Sequence, residues 1–203
     1  MHENCKLLFQ NYALEYFQPG TKVLEIGPDK IPSTLQEMVS DVLPAWDTVD
    51  IIDCYPITHL ATSEYNFPIA SNFYDVVLAA NVIEHVRKIW IWIKEVTRVC
   101  KVGGTVIIIV PVSWAYHPAP HDCWRIYPQG MRALFDEAGL EELLVTWQSL
   151  EAPGYARYLP GVSAEFLSPK RRLANKLLGC FGYPVERAYD TIGIGRKIIA
   201  TEA

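Results

Sequence analysis

The sequence predicts an α/β fold in which a mostly parallel sheet carries helices on both faces. Two observations support this: short β-branched runs alternate with segments of helical periodicity, as in βαβ units, and half of the 203 residues are hydrophobic, enough for a packed core. A chain of this length fits one domain. We therefore predict a single domain over residues 1–203, in which residues 151–189 form an insertion or lid before the last strand.

The first half of the chain is predicted to contain two helices and three strands. Apolar residues recur at helical spacing up to Pro19-Gly20, and this pair ends the first helix. The apolar run that precedes Asn81 indicates a strand buried on both faces. The predicted elements are a helix over 5–17, a strand over 22–26, a helix over 31–42, a strand over 48–52 and a strand over 74–80.

The second half begins with a helix despite its many β-branched residues. Apolar residues recur at three- and four-residue steps from Ile89 to Cys100, and Lys94, Thr97 and Lys101 fall on the opposite face. The predicted elements are this helix, ended by Gly103-Gly104, a strand over 105–110, a helix over 128–138 ended by Gly139, a strand over 143–147, a basic helix over 170–178 and a strand over 191–200.

The charge balance argues against two classes of partner. The formal charge is −5, from 18 basic and 23 acidic residues, and it gives no general attraction for nucleic-acid phosphates or anionic lipid. The longest apolar run, residues 106–112, is too short to span a bilayer. We therefore expect no nucleic-acid partner and no membrane partner, and either a monomer or a homodimer.

The cysteines argue against a disulfide framework. There are five of them, scattered and without a CxxC pair, which also disfavours a thiolate zinc site. The first ten residues lack the basic and apolar regions of a signal peptide. We therefore expect a reduced, cytoplasmic protein without a metal site.

The residues that follow the predicted strands are candidates for ligand binding, because open α/β sheets bind ligands at the carboxyl ends of their strands. Gly27 follows the first strand and lets the backbone approach a ligand closely. Asp50 lies in the second strand, where a carboxylate can accept hydrogen bonds from both hydroxyls of a ribose. These two positions suit a cofactor that contains adenosine.

Five segments, in this order, resemble the class I S-adenosylmethionine-dependent methyltransferases, particularly their small type 11 domains. They are residues 23–29, Asp50, residues 67–77, residues 81–86 and residues 95–104. The resemblance covers roughly residues 12–145. It implies a Rossmann-like class I methyltransferase fold with a seven-stranded sheet, S-adenosylmethionine as the cofactor, and transfer of its methyl group to an acceptor.

The resemblance also implies which residues hold the cofactor. Glu25 and the Gly27 turn are implied to contact the methionine half of the cofactor. Asp50 is implied to contact the ribose, and Glu64 and Tyr65 to lie by the adenine. Asn81, directly after the predicted strand over 74–80, lies beside the sulfonium. The implied cofactor-binding residues are Glu25, Gly27, Pro28, Asp29, Asp50, Ile51, Glu64, Tyr65, Asn81 and Val82.

The sequence departs from the family in the glycine-rich loop, where the later glycines are absent. Pro28 lacks a backbone N–H and Asp29 adds a negative charge, so a pyrophosphate would be poorly held there. S-adenosylmethionine has no phosphate and carries cationic groups, so this loop disfavours a nucleotide-linked oxidoreductase or epimerase more than a methyltransferase. The same departure supports an alternative, a catalytically inactive methyltransferase-like binding or regulatory module.

The segment 113–127, after the predicted strand over 105–110, is the candidate acceptor site. Its histidines, tryptophans, aspartate and arginine suit a small polar acceptor, such as a sugar or phenol hydroxyl, and a histidine there can act as general base. It resembles the His-Pro-x-Pro-x-Asp-x-Trp-Arg stretch of methyltransferase-like proteins of glycan and other pathways. Methylation of nitrogen or carbon stays open. The candidate catalytic residues are His117, His121 and His85, and His117 is favoured over His121 because it lies closer to the strand end.

Structural roles are the competing interpretation of this segment. The histidines can bond to the backbone, Trp124 can fill the core, and Asp122 with Arg125 can form a local ion pair. A metal site formed by His117 and His121 on one helix face is disfavoured, because the prolines between them prevent a regular helix.

Overall fold

The structure, a computed structural model, describes residues 2–42, 44–118, 121–152, 156–157, 165–166, 168–183 and 187–198. Its strands are β1 (Lys22–Ile26), β2 (Ala45–Asp50), β3 (His59–Leu60), β4 (Tyr74–Ala80), β5 (Cys100–Pro111), β6 (Leu140–Gln148), β7 (Ala156–Arg157), β8 (Glu165–Phe166) and β9 (Asp190–Lys197). Its α-helices are α1 (Glu3–Tyr12), α2 (Thr34–Met38), α3 (Ile89–Val99), α4 (Pro128–Ala138) and α5 (Pro169–Cys180).

Seven of these strands form one sheet in the order β3-β2-β1-β4-β5-β9-β6. The strands from β3 to β5 pair in parallel, whereas β9 is antiparallel to both β5 and β6. Helices α3 and α4 bury apolar side chains in the cluster on one face, and α1 and α2 do so in the cluster on the other. The predicted mostly parallel sheet with helices on both faces is confirmed.

Helix α3 shows how burial overrides weak intrinsic propensity. Trp92, Ile93 and Val96 are fully buried against the sheet, so packing stabilises a helix rich in β-branched residues. The prediction that Thr97 lies on the exposed face is wrong, since its side chain is 1% exposed. The buried face of α3 is wider than the sequence pattern indicated.

Several boundaries differ from the prediction. Strand β5 begins at Cys100 and includes Gly103 and Gly104, which were expected to end α3. The pairing of β4 with β5 shifts register there, and Gly103 has a φ of +81°, so the glycines form an irregularity within the strand. Helix α2 is shorter than predicted, and Ser33 caps it by accepting a hydrogen bond from the N–H of Gln36.

A buried lysine near the end of β9 links this strand to α3. The Lys197 ammonium group donates hydrogen bonds to the carbonyl oxygens of Thr97 (2.8 Å) and Cys100 (3.0 Å) and to Oδ1 of Asn72 (2.8 Å). A cation there compensates the negative end of the α3 dipole. Lys197 therefore ties the end of α3 to the sheet.

The segment 151–189 leaves and rejoins the sheet at one edge. Gln148 at the end of β6 pairs with Asp190 at the start of β9, and Asp190 also pairs with Pro111, so both ends of the segment lie at the carboxyl edge of the parallel strands. Parts of the predicted lid lie outside the described residues. Among the residues described, no helix is both long and apolar enough to cross a membrane.

Candidate active site

A cleft of about 600 Å³ opens at the carboxyl ends of β1, β2 and β4. This is the edge at which parallel sheets bind ligands, and the volume is in the range of small-molecule sites. Most of the predicted cofactor-binding residues line it. They are Gly27, Asp50, Ile51, Glu64, Tyr65, Asn81 and Val82.

The floor of the cleft is formed where the turn after β1 meets the turn after β4. Gly27 has a φ of +65°, and a Cβ added there would lie 2.7 Å from Cγ2 of Val82. Both the backbone conformation and the close approach require glycine. Because no side chain projects from this position, a ligand can lie directly across the backbone of the turn.

Asp50 has one carboxylate oxygen that the loop itself does not use. Its Oδ1 accepts hydrogen bonds from the backbone N–H groups of Ile51 (2.6 Å) and Ile52 (3.1 Å). Within the described part of the chain, its other oxygen accepts none. The carboxylate can therefore hold the loop and also accept hydrogen bonds from the hydroxyls of a bound ribose.

Asn81 is strained and carries an unpaired polar atom. Its φ of +58° is in the left-handed region, and the side-chain Oδ1 is buried without a hydrogen-bond partner among the described residues. Such strain and an unsatisfied acceptor are typical of ligand-binding positions. Because Asn81 lines the cleft, its Oδ1 is suited to accept a hydrogen bond from a cationic or N–H group of a ligand.

Three predicted cofactor contacts, Glu25, Pro28 and Asp29, are not among the residues that line the cleft. Asp29 accepts hydrogen bonds from the backbone N–H of Thr34 (3.0 Å) and from its hydroxyl (2.7 Å), at the start of α2. Glu25 is buried and accepts a hydrogen bond from Nε1 of Trp46 (3.0 Å). Their direct contact with a cofactor stays a prediction.

The burial of Glu25 predicts a pH-dependent stability. Burial raises the pKa of Glu25 from 4.5 to about 7, so its contribution to stability is complete below pH 4.5 and is lost as the pH rises through 7. Glu25→Gln keeps an acceptor for Trp46 and removes this charge. We expect the variant to exceed the wild type by roughly 2–3 kcal/mol in unfolding free energy at about pH 8 and to match it near pH 4.5.

Urea unfolding at the two pH values measures this difference. Glu37→Gln, on the exposed side of α2, is the control and should retain the wild-type pH profile. An equal pH dependence in Glu25→Gln and wild type would show that the buried carboxylate does not titrate as described.

Of the predicted catalytic histidines, His85 lies in the cleft wall. It ends the 3-10 turn Ile83–His85 after β4, and its Nδ1 donates a hydrogen bond to the carbonyl oxygen of His121 (2.5 Å). This bond leaves the lone pair on Nε2. Burial lowers the pKa of His85, so the ring is neutral at neutral pH and can accept a proton or bind an ion.

The other two histidines occupy different positions. His121 lines the cleft, but its Nε2 is 2.6 Å from Nη2 of Arg87, which donates to it. His117 is not among the lining residues; its ring meets that of His85 edge to face, with 5.1 Å between centroids. The structure thus brings His85 and His117 together and gives His121 a partner of its own.

Much of the acceptor segment has a structural role. Asp122 pairs with Arg125 and accepts a hydrogen bond from the backbone N–H of His117 (2.9 Å). Burial raises the pKa of Asp122, but these hydrogen bonds outweigh that effect and lower the pKa to about 2. Trp124 packs against the core, and its Nε1 donates to the carbonyl oxygen of Val86 (2.8 Å). The alternative of a local ion pair and a core tryptophan is confirmed for these three residues.

Sequence reasoning missed several cleft residues. Arg87 and Lys88 follow His85 directly and bring two positive charges to the cleft, and Trp92 of α3 contributes an aromatic wall. The sequence pattern assigned Trp92 to the core, and the structure does pack it there. Helical spacing alone does not indicate that the same side chain also lines the cleft. The basic pair next to Glu84-His85 was the available signal.

Comparison with solved structures finds the same fold in methyltransferases and in a cyclase. A SAM-dependent methyltransferase from Archaeoglobus fulgidus matches with a TM-score of 0.61 and 16% identity, over 95% of this chain and 92% of the other. A geranyl diphosphate C-methyltransferase from Streptomyces coelicolor A3(2) matches with a TM-score of 0.56 and 9% identity, over 95% and 79%. The [4+2]-cyclase SpnF matches with a TM-score of 0.55 and 15% identity, over 96% and 80%. At these identities the matches show a shared fold.

The sequence adds a family match. A family model described as a methyltransferase domain matches residues 38–108, which include β2, β4, α3 and the residues around the cleft after β4. Residues 38–108 are thus similar to a methyltransferase domain, and the fold of the chain is one that class I methyltransferases have. No curated protein sequence matches it. The class I fold explains why the cleft lies at the ends of β1, β2 and β4, since ligands of such sheets bind at the point where the strand order reverses.

Proposed function

We propose that this protein is a class I methyltransferase that transfers the methyl group of S-adenosylmethionine to a small-molecule acceptor, the hydroxyl of a sugar, a glycan or another metabolite. The observation that carries the proposal is the convergence of Gly27, Asp50 and Asn81 around one cleft at the carboxyl edge. These residues come from three separate strands, and each has the geometry that its implied role requires.

The donor set fits S-adenosylmethionine better than a phosphate-bearing cofactor. The cleft offers the second oxygen of Asp50 to ribose hydroxyls and the unpaired Oδ1 of Asn81 to a cationic group. In contrast, the Asp29 carboxylate already binds the N–H at the start of α2, where a pyrophosphate would otherwise lie. This arrangement supports the preference for a cationic, phosphate-free cofactor.

The main role of the protein in this reaction is to position the cofactor and the acceptor. S-adenosylmethionine brings a methyl group that its sulfonium already activates. Asp50, Asn81 and Gly27 would fix the cofactor across the strand ends, and alignment of two reactants is worth up to roughly 7–11 kcal/mol. The alignment must direct the methyl group toward the acceptor end of the cleft.

That acceptor end is where His85 and His117 meet. A neutral imidazole beside the cleft suits a hydroxyl, because it can take or hold the proton that oxygen must lose. We favour His85 over His117 for this contact, since His117 is not among the residues that line the cleft and His121 is bonded to Arg87. The insertion 151–189 is proposed as a lid over this end, because both of its ends lie at the same edge; a structure with the segment at the amino edge would exclude that role.

Asp50→Asn tests the cofactor site. Asparagine retains an acceptor for the N–H groups of Ile51 and Ile52 but loses the carboxylate charge. We expect S-adenosylhomocysteine to bind roughly 10–100-fold more weakly by isothermal titration calorimetry, the size of a charged hydrogen bond. Asp53→Asn, an exposed acid on the same loop, is the control and should bind normally.

Three outcomes would change the proposal. Unchanged affinity in a folded Asp50→Asn would remove Asp50 from the site. Absence of binding to the wild type would overturn the cofactor assignment, whereas binding without turnover on any acceptor would favour the inactive binding or regulatory module.

A further inference from the structure

Glu84 is a buried carboxylate with no visible partner. It lies in the turn after β4, its side chain is 0% exposed, and neither Oε1 nor Oε2 has a hydrogen-bond partner among the described residues. Burying a carboxylate in this way is costly unless a cation or a proton compensates it. Arg125 is the nearby positive side chain, but Asp122 already pairs with it.

Two imidazoles stand next to this carboxylate. One oxygen of Glu84, one nitrogen of His85 and one nitrogen of His117 all lie within 4.8 Å of one another. Nε2 of His85 is 3.9 Å from Oε1 of Glu84, too far for a hydrogen bond. With small side-chain movements, a metal ion could lie between Nε2 of His85 and Oε1 of Glu84 and bind both atoms.

Both histidines are oriented as metal ligands usually are. Nδ1 of His85 donates to the carbonyl oxygen of His121 (2.5 Å), and Nδ1 of His117 lies 3.0 Å from the carbonyl oxygen of Ala115. Such bonds hold the proton on Nδ1 and leave the lone pair on Nε2. Metal-binding histidines characteristically donate their second N–H to a carbonyl or carboxylate in this way.

We propose that Glu84, His85 and His117 bind a divalent transition-metal ion at the wall of the cleft. Two imidazoles and one carboxylate favour ions such as Zn²⁺, Fe²⁺ or Mn²⁺ over Ca²⁺ and Mg²⁺, which prefer oxygen ligands alone. The sequence-based expectation that the protein has no metal site considered His117 with His121 on one helix. The structure instead brings His117 close to Glu84 and His85, which lie in the turn after β4, more than thirty residues earlier in the chain.

The position of the site suggests its use, and this step rests on the proposed function. Three protein ligands leave coordination positions open, and His85 faces the cleft, so an acceptor hydroxyl can complete the coordination. Coordination lowers the pKa of the hydroxyl, and its proton passes to water. The oxygen then forms a bond to the methyl carbon as the carbon–sulfur bond breaks, and sulfur keeps the electron pair to give S-adenosylhomocysteine.

Metal binding to chelator-stripped protein is the test, and it needs no acceptor. We expect titration with Zn²⁺ by calorimetry to give one site per chain, and titration with Co²⁺ to produce visible absorption that free Co²⁺ lacks. Glu84→Gln and His117→Ala should each weaken binding by roughly tenfold or more. His59→Asn, a histidine bonded to Tyr74 and distant from the cluster, should bind as the wild type does.

Affinity for S-adenosylhomocysteine, measured on the same proteins, separates the two proposals. Cofactor binding without saturable metal binding would overturn the metal site and leave the proposed function standing. Metal binding without cofactor binding would do the reverse. Equal metal affinity in the wild type and in folded Glu84→Gln and His117→Ala would place the ion elsewhere and overturn this assignment.

Discussion

His85→Ala should lower the rate of methyl transfer by roughly 10²–10⁴-fold while the protein stays folded and still binds S-adenosylhomocysteine. His85 lines the cleft and its Nδ1 bond to the His121 carbonyl leaves the lone pair on Nε2, whereas Nε2 of His121, the other histidine of the cleft, is bonded to Arg87. As proton acceptor or metal ligand, the ring acts on the acceptor oxygen, so its loss reduces turnover more than cofactor affinity.

The rate is measured as S-adenosylhomocysteine release, with the phenol or sugar that the wild type methylates fastest in a panel. His59→Ala is the matched histidine control and should keep its rate, because His59 is not among the residues that line the cleft and its ring is bonded to Tyr74. Parallel loss of melting temperature, cofactor affinity and turnover in His85→Ala would instead show that the turn after β4 is scaffold.

Lys197→Met should lower the free energy of unfolding by roughly 2–4 kcal/mol, because buried acceptors lose their donor. Methionine keeps the apolar stem but removes the ammonium group that binds the carbonyl oxygens of Thr97 and Cys100 and the side chain of Asn72. Both carbonyl groups belong to buried residues, so the lost bonds are not replaced by water.

Urea unfolding compares Lys197→Met with Arg196→Met. Arg196 is the adjacent basic residue, but its side chain is half exposed. Its one ion pair, with Glu141, is long at 3.9 Å, so the loss of Arg196 should cost less than about 1 kcal/mol. A similarly small effect of Lys197→Met would mean that the end of α3 does not depend on this ammonium group.

The sequence predicted the parts of the site that depend on strand order alone. Gly27, Asp50 and Asn81 follow or end strands, and the carboxyl ends of parallel strands meet at one edge whatever the side chains do. Glu25 and Asp29 were harder to interpret, because an acid beside a ligand turn can face the ligand or hold the turn. Only the contacts with Trp46 and Thr34 distinguish these roles.

Contacts between distant parts of the chain were out of reach of the sequence. Nothing in the pattern around Lys197 shows that its ammonium group meets the end of α3. Likewise, the approach of His117 to Glu84 and His85 depends on the path of the loop after β5, which the ion pair of Asp122 with Arg125 fixes. Periodicity reports which face of an element is buried, and it does not report the partner.

The place of β9 in the sheet has a consequence for the order of folding. Strands β1 to β5 come from residues 22–111 and can pair as soon as they are made, but β6 joins them only through β9, whose Arg196 pairs with Thr105, 91 residues earlier (196 − 105). Until then the apolar β5 is an open edge, prone to association with other chains. Asp190, the first residue of β9, also binds Asn4 of α1. Strands β1, β2 and β4, whose ends form the cleft, can therefore pair early during synthesis, whereas β6 joins the sheet only after β9 has been made.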